Sequence, residues 1–362
     1  MQETTNTPYP PLPSRFDSNK GAKSRGARLK RKLLIILVSI LIVAALVVGG
    51  FTASRMLPVG AFHSASTRNF KLPYLSKGYI PQGLAYDSAS GDFYLSGYMK
   101  DSSPSLIFIV DKDTKKVEKR VAMANSDGEP LSIHSGGIAF HNGMVYVCGD
   151  DINCLYVYDP STIRSAKNGD LVPYVAIVDL SINADNLHPA YVFSSNDHLF
   201  VGEFYKKGVY DTIAQHHIDT TDGKQYALLV EFDINPATYE ATPLSAISTV
   251  DLVQGAAITN NELYLSTSWG IAFSKIYGYD MHKMLPQGKH KVLGTEVPLY
   301  IADSEALIDV YKIAPMAEEI DITDNKMYIQ CESASKKYFF GKLTGANRVY
   351  TIDMDKLKTL ND

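Results

Sequence analysis

The chain has 362 residues, of which 45% are hydrophobic and 20% charged, with three cysteines and a formal net charge of −4. This composition is that of an ordinary folded protein, and it excludes collagen-like, disordered and disulfide-dense classes. The length allows about two domains of usual size, or one large domain built on a single sheet or on repeats.

The first 32 residues are basic and contain prolines. They hold eight Lys and Arg against two acids, a balance of +6, which leaves 27 bases and 37 acids, a balance of −10, in the remainder. Residues 1–32 are therefore predicted to be a disordered cytoplasmic tail, in which residues 9–13 could alternatively be a polyproline II ligand. Anionic lipid and membrane orientation explain the basic run, so no nucleic-acid partner is expected.

An uncharged apolar run of 21 residues, 33–53, follows the basic tail. As a helix it is about 30 Å long, which is the thickness of the hydrocarbon core of a bilayer. A buried core helix would have a polar face, and a cleaved signal peptide would have a shorter apolar stretch and a better cleavage site than Thr52-Ala53-Ser54. The run predicts an uncleaved transmembrane signal-anchor helix, with the N-terminus cytoplasmic and the chain after Arg55 extracellular at the cell membrane.

The remainder of the chain contains an internal repeat. Five segments each combine a short alternating strand, a turn rich in Asn, Asp, Gly and Ser, and a second strand with an aromatic residue; they begin at Gly83, Gly137, Tyr191, Gly255 and Glu319. Their starts are 54, 54, 64 and 64 residues apart. Because a strand with its turn needs about ten residues, each period has room for a four-stranded sheet.

Third and fourth strands also recur in the repeats. The third strands are predicted at residues 105–111, 155–159, 228–233, 275–280 and 348–353. The fourth strands are predicted at residues 117–121, 174–180, 247–252 and 297–301. The last unit lacks a fourth strand, and residues 68–75 are free to supply it, which would remove exposed sheet edges.

Four-stranded units repeated radially form a β-propeller. The sequence therefore predicts an all-β propeller over residues 67–362, preceded by a linker at residues 54–66. Five blades fit the repeat count, and six blades are the alternative.

The propeller topology predicts where a site would lie. The starts of the first strands and the loops after the second strands meet at one end of the central channel. The candidate binding residues at these positions are Gln82, Tyr98, His134, His188, Glu203, Gln254, Trp269, Glu318 and Glu332. Asp150 and Asp151 lie in a loop of the same kind.

Three interpretations of this polar ring remain open. The side chains could cap strand ends around a wet channel, because buried polar groups need hydrogen-bond partners. They could bind a polar ligand such as a glycan, peptide or protein, with Tyr98 and Trp269 as flat apolar surfaces. His134, Glu203 and Glu318 could instead hold a metal, such as Ca²⁺ or a transition metal.

The sequence lacks the motifs of several well-known enzyme classes. The sequence contains no P-loop, dinucleotide-binding, H-E-x-x-H or G-x-S-x-G motif. His216 and His217 fall in a polar insertion that is predicted to be a solvated loop.

The three cysteines permit at most one internal pair. Cys148 and Cys154 are predicted to face each other across a hairpin, and an extracellular location would permit a disulfide there. Facing positions need not have the required geometry, so the pairing stays open. Cys331 is expected to be a buried, inert thiol.

Several short motifs carry a family resemblance. They are residues 81–83, 134–137, 315–319, 331–334 and 337–338. Over roughly residues 70–355 the chain resembles poorly characterised bacterial propeller proteins that are secreted or membrane-anchored. It is also similar, at the level of fold, to gluconolactonase and strictosidine-synthase-like propellers, which implies a possible channel Ca²⁺. An acid, an Asn and an Asp that match those enzymes' ligands are absent from the corresponding inner-strand positions.

The sequence thus predicts a single-pass, membrane-anchored extracellular propeller that binds a ligand, glycan or protein at its channel mouth. The alternative is a metal-dependent hydrolase or lyase, with Ca²⁺ as the possible cofactor, that uses the channel. A purely structural scaffold is the third possibility.

Overall fold

The computed structural model describes residues 19–149, 152–338 and 340–361. The predictions for residues 1–18, including the proline cluster, and for Asp150 and Asp151 lie outside the described residues. Backbone contacts divide the chain into two units, Met1–Ser54 and Arg55–Asp362.

The first unit contains most of the long helix α1, Asn19–Met56. Within the described residues this is the one helix long and apolar enough to cross a membrane, with a mean hydropathy of 3.1 in its apolar window and none of that window buried. Its uncharged stretch contains no residue that would break a helix strongly, and length and composition agree with the predicted span.

The segment after α1 belongs to the second unit. It forms the 3₁₀ turn Leu57–Val59 and helix α2, Gly60–Ala65. Val59 and Phe62 are buried, and the Phe62 ring lies edge-on to Tyr350 with 5.2 Å between centroids. Residues 54–65 of the predicted linker are therefore helical, and Val59 and Phe62 add apolar side chains to the propeller core.

The first third of the propeller follows in chain order. Its elements are β1 Thr67–Lys71, the 3₁₀ turn Leu75–Lys77, β2 Tyr79–Asp87, β3 Asp92–Met99, β4 Leu106–Asp111, β5 Val117–Ala124, β6 Ile138–His141, β7 Met144–Gly149, β8 Cys154–Tyr158, α3 Pro160–Ser165, β9 Leu171–Pro173 and β10 Ala176–Asp179.

The middle third contains two short additional hairpins. Its elements are β11 Ser181–Ile182, β12 Asp185–Asn186, β13 Pro189–Ser195, β14 His198–Glu203, the 3₁₀ turn Ala214–His216, β15 Ile218–Thr220, β16 Gly223–Gln225, β17 Ala227–Ile234 and β18 Ala241–Thr249.

The last third completes the ring. Its elements are β19 Val253–Thr259, β20 Glu262–Thr267, β21 Ser274–Asp280, β22 Lys289–Val292, β23 Thr295–Ile301, β24 Leu307–Ile313, β25 Ala317–Thr323, β26 Lys326–Cys331, α4 Gly341–Thr344, β27 Arg348–Asp353 and α5 Met354–Lys358.

These strands form a five-bladed β-propeller, as the repeat predicts. In the described part of the chain the five antiparallel blades are β2-β3-β4-β5, β6-β7-β8-β10, β13-β14-β17-β18, β19-β20-β21-β24 and β25-β26-β27-β1. The first strands of the blades are neighbours in a closed ring, β2 to β6 to β13 to β19 to β25 and back to β2. The apolar core lies between blades, where for example Phe93 of blade 1 contacts Tyr328 of blade 5 at 4.7 Å between ring centroids.

The ring closes where the sequence predicts. Strand β1, which overlaps the predicted segment 68–75, pairs antiparallel with β27, and Arg68 lies opposite Tyr350. The start of the propeller therefore supplies the outer strand of the last blade, which covers an edge that would otherwise be exposed.

One strand assignment was wrong. Residues 297–301 were predicted as the outer strand of blade 4, but they belong to β23, which pairs in parallel with β18 at the edge of blade 3. The outer strand of blade 4 is β24. The reason is burial: Val292, Val297 and Leu299 of the β22–β23 hairpin pack into the core between blades 2 and 3.

The cysteines do not form the disulfide that the sequence left open. Cys148, Cys154 and Cys331 are all buried, and none of them is in a disulfide. Gly149 lies opposite Cys154, and Cys148 lies opposite Leu155, so the two cysteines are offset by one position across the hairpin. Burial raises the pKa of the Cys331 thiol, which agrees with the expected inert thiol.

Candidate functional site

A cavity of about 600 Å³ lies at the channel end where the first strands begin. Eight of the nine predicted binding residues line it: Gln82, Tyr98, His134, His188, Gln254, Trp269, Glu318 and Glu332. Its wall also includes residues that sequence reasoning missed, among them Phe204, Tyr210, Ser268, Met316, Lys337 and Tyr338.

Glu203 is the predicted residue that does not line the cavity. It ends β14, its side chain is fully buried, and its Oε2 accepts a hydrogen bond from the Leu228 amide at 3.1 Å. Its carboxylate also lies 3.0 Å from Nδ1 of His216. Glu203 therefore holds neighbouring segments together beside the channel, outside the site that the sequence assigns to it.

The prediction of a solvated loop was wrong for His216. This side chain is fully buried between two carboxylates, with Nδ1 beside Glu203 and Nε2 3.5 Å from Oδ1 of Asp185. Burial lowers the pKa of His216, but the hydrogen bond and charge of Glu203 and the charge of Asp185 outweigh it and raise the pKa above its ordinary value. The three groups come from segments far apart in the chain, so local sequence carried no sign of the contact.

Two carboxyl groups line one wall of the cavity. Glu318 on β25 is 2% exposed, and within the described residues no hydrogen bond reaches its carboxyl group. Glu332 follows β26, and its Oε2 accepts a hydrogen bond from Nε2 of Gln82 at 3.3 Å. Burial, followed by the negative charges of Glu332 and Glu319, raises the pKa of Glu318 well above its ordinary value. Burial also raises the pKa of Glu332 to about 7.

Lys337 provides the cation of this wall. Its Nζ donates a hydrogen bond of 2.9 Å to the Tyr98 hydroxyl and lies over the rings of Tyr98 and Tyr338. Burial lowers the pKa of Lys337, but its contacts with Tyr338 and Tyr98 raise the pKa overall, so the amine stays charged. The wall thus has one more negative than positive group when both carboxyls are ionised.

His134 is neutral at neutral pH. Its ring lies against Tyr98 with 4.4 Å between centroids. Burial, and then the positive charge of Lys337, lower the pKa of His134 to about 4. It can therefore hydrogen-bond a ligand but adds no charge to the cavity.

Aromatic side chains form a second wall of the cavity. Trp269 is 39% exposed, and its ring lies 6.0 Å from that of Phe204 and 6.2 Å from that of Tyr210. Nζ of Lys206 lies 5.6 Å from the centre of the Trp269 ring. This arrangement presents the flat apolar surface that the sequence predicts for Trp269.

His188 and Gln254 also line the cavity. The His188 amide donates a hydrogen bond of 3.4 Å to Oε1 of Glu203, which fixes the backbone at this point. Gln254 is the second residue of β19, the first strand of blade 4, and it is half-buried where it lines the cavity.

The candidate metal set is not assembled. His134 and Glu318 line the cavity, but Glu203 does not, so these three residues do not surround one position. In the described part of the chain, one group of three side chains has donor atoms close enough for a metal: Asp92, Asp111 and Glu118, within 4.8 Å of one another. Asp92 already accepts a hydrogen bond from Arg164 at 2.6 Å.

The other end of the channel has a different character. Its cavity has about 90 Å³ and is lined mainly by apolar residues such as Leu84, Ile138 and Ile320. Asp321 is the acid there, and its Oδ2 accepts a hydrogen bond of 2.5 Å from the Tyr86 amide. Burial raises the pKa of Asp321 to about 6.

No protein-family model and no curated protein sequence matches this chain. Solved structures of similar fold include β-propeller proteins, as the resemblance implies. The PQQ-bound aldose sugar dehydrogenase of Streptomyces coelicolor is 12% identical, with a TM-score of 0.43 over 80% of this chain and 97% of that chain. A GH43_1 enzyme from Xanthomonas citri is 12% identical, with a TM-score of 0.42 over 81% of this chain and 92% of that chain.

A third similar structure is the hydrazine synthase of Kuenenia stuttgartiensis, at 12% identity and a TM-score of 0.34 over 69% of this chain. This chain spans 55% of the length of that protein. Likenesses at this level carry no argument about activity or ligand.

Proposed function

We propose that this protein is a single-pass membrane protein with a cytoplasmic N-terminus, and that its extracellular propeller binds a ligand in the large channel-mouth cavity. The apolar helix α1 and the +6 balance of the preceding residues support the anchor and its orientation. The cavity volume is in the range of sites that take small molecules or the ends of chains.

The ligand carries a basic amine, on a glycan or on a peptide. The observation that carries this proposal is Glu318, a buried carboxyl group without a hydrogen-bond partner in the described residues, beside a second carboxyl group, Glu332. A buried carboxylate is stable when it is paired and hydrogen-bonded, and an ammonium group supplies both a charge and donors. Lys337 balances one of the two carboxyls, so the site has room for one more cation.

The aromatic wall supports the same ligand class. Trp269 and Tyr98 can contact the apolar face of a sugar ring or the stem of a basic side chain, while Gln82 and Gln254 offer amide groups. Without the ligand, a proton on the carboxyl pair compensates the charge. Amine binding is therefore expected to displace a proton, and affinity should rise as pH increases through about 7, the pKa of Glu332.

The proposal is tested with two matched pairs of probes on the full-length protein. One pair is an oligomer of β-linked glucosamine and its fully N-acetylated form, and the other is a lysine-containing peptide and its acetylated form. We expect the free amines to bind more tightly than the acetylated forms. Glu318→Gln should lower amine affinity by about tenfold or more, because it removes a charged hydrogen-bond partner.

Glu296→Gln is the control, because Glu296 is an exposed acid on β23 outside the cavity. Equal binding of amine and acetylated forms would contradict the amine assignment and leave a binding site for another ligand. Binding of neither pair would contradict the function as proposed.

A metal-dependent hydrolase or lyase was the alternative from sequence. Its set of His134, Glu203 and Glu318 does not fit, because Glu203 is fully buried against His216 and Leu228. No step through a metal ion is derived for this cavity.

A further inference from the structure

The start of the propeller unit lies beside the large cavity. Arg55, the first residue of the propeller unit, donates a hydrogen bond of 2.8 Å from Nη1 to the carbonyl of Ile271. Its guanidinium group also lies 5.8 Å from the centre of the Phe273 ring. Trp269 and Gly270, in the same loop, line the cavity. The chain thus enters the propeller at the end that carries the cavity mouth.

Large apolar side chains are exposed on this loop and on a neighbouring one. They form the tether-side patch, which consists of Val209 (57% exposed), Tyr210 (54%), Trp269 (39%) and Ile271 (57%). Tyr210 contacts Trp269 edge-on, and Lys206 lies over the Trp269 ring. Clustered exposed apolar residues mark an interaction surface, and Trp and Tyr together with Lys are typical of the interface between membrane and water.

Chain length limits how far this patch can be from a bilayer. The apolar run ends at residue 53, and Arg55 follows after a single residue. Two residues and an extended Arg side chain reach roughly 15 Å. The headgroup layer extends about 6 Å beyond the hydrocarbon core on each side. The headgroups of a bilayer that holds residues 33–53 would therefore lie within reach of the Ile271 loop.

We propose that the tether-side patch rests on the outer surface of the phospholipid bilayer, so that the cavity mouth opens beside the membrane. This inference rests on the membrane anchor of the proposed function. Trp269 and Tyr210 lie at headgroup level, Val209 and Ile271 insert their apolar side chains, and Lys206 attracts anionic lipid. A ligand would reach the cavity along the membrane surface.

The experiment uses the fact that Trp269 is the single tryptophan of the chain. The full-length protein is reconstituted in phosphatidylcholine and phosphatidylglycerol vesicles, with and without spin-labelled headgroups that quench tryptophan fluorescence on contact. We expect the quencher lipid to remove most of the fluorescence of Trp269. The control is the double variant Trp269→Phe, Phe140→Trp, which moves the tryptophan to the opposite end of the channel and should lose little fluorescence.

Each outcome decides the matter. If the protein floats with the vesicles but Trp269 is not quenched, the docking surface is wrong and the anchor stands. Equal quenching in the protein and in the control variant would also overturn the docking surface. If the protein does not float with the vesicles, the anchor itself fails. A near-native melting temperature confirms that the double variant is folded.

Discussion

The two ends of the propeller channel are built from the same five first strands but differ about sevenfold in cavity volume, 600 Å³ against 90 Å³. At the narrow end, first and second strands are joined in four of the five blades by tight turns in which both central residues have positive φ; the pairs are Asn142 with Gly143, Asn196 with Asp197, Asn260 with Asn261, and Asp324 with Asn325. Such turns match the twist of the strands and leave little space between blades.

At the wide end, long segments follow the second strands of blades 3 and 5 instead. The segments after β14 and β26 carry Phe204, Tyr210 and Lys337 into the cavity wall. The regular repeat therefore determines the channel, while irregular loops at one end determine what can bind there.

Between the two ends of the channel, the first strands of neighbouring blades pack closely around Gly137, and we expect the largest effect of a substitution there. A Cβ on Gly137 would lie 2.5 Å from Oε2 of Glu319 and 2.7 Å from Cα of Tyr191. Because the Tyr191 contact is backbone, we expect Gly137→Ala to lower the free energy of unfolding by about 3 kcal/mol, measured by chemical denaturation. Gly60→Ala is the control, since a Cβ on Gly60 meets nothing within 4 Å. Equal stability of the two variants would contradict the close packing of the strands around Gly137.

Much of the fold could be predicted from the sequence, because the Asn- and Asp-rich turns and the alternating strands recur at regular distances. The β22–β23 hairpin could not, since its pairing with β18 depends on tertiary packing of Val297 and Leu299. The same holds for the site. Residues at strand starts, such as Gln82 and Glu318, follow from topology.

Loop residues follow no such rule. Lys337 and Phe204 enter the cavity through irregular backbone, which no periodicity predicts. The Glu203 carboxylate contacts His216 and does not line the cavity. His216 belongs to the 3₁₀ turn Ala214–His216 in an insertion of blade 3. These are contacts between distant segments, and one sequence carries no signal for them.

Each end of the channel has a buried carboxyl group with a raised pKa, and the two pKa values differ. Burial raises the carboxyl pKa from 4.5 to about 7 in Glu332 at the wide end, and from 3.8 to about 6 in Asp321 at the narrow end. The folded state therefore binds these protons more tightly than the unfolded state. Both contributions are full below the unfolded pKa and are lost as pH rises through the folded pKa.

The unfolding free energy should fall as pH rises, and Glu332→Gln should remove the part of this fall that extends to about pH 7. Asp321→Asn should remove the part that ends near pH 6. The effect of each should be on the order of 3 kcal/mol at most, measured as unfolding free energy against pH. The amine probe should change only the pH dependence that comes from Glu332, because Glu332 lines the large cavity and Asp321 does not. Identical pH profiles for the two variants would contradict the separation of the ends.

The smallest expected effects are changes in amine-probe affinity when residues at the two ends of the channel are substituted. Trp269→Ala and Gln254→Ala at the wide end should each weaken amine-probe binding by about tenfold, which is near 1.4 kcal/mol, because they remove apolar contact area and an amide partner. Ser194→Ala at the narrow end should leave the affinity unchanged. Isothermal titration of the three variants measures these changes, and a loss at Ser194 alone would place the ligand at the wrong end.

The central claim is that an amine is held at the wide end by the Glu318 and Glu332 pair. A high-resolution crystal structure of the protein with the glucosamine oligomer tests it most directly. The account predicts an ammonium nitrogen within hydrogen-bond distance of the Glu318 carboxylate, with a sugar ring against Trp269. An oligomer bound elsewhere, or a cavity that holds it with the amine away from both carboxyls, would contradict the account.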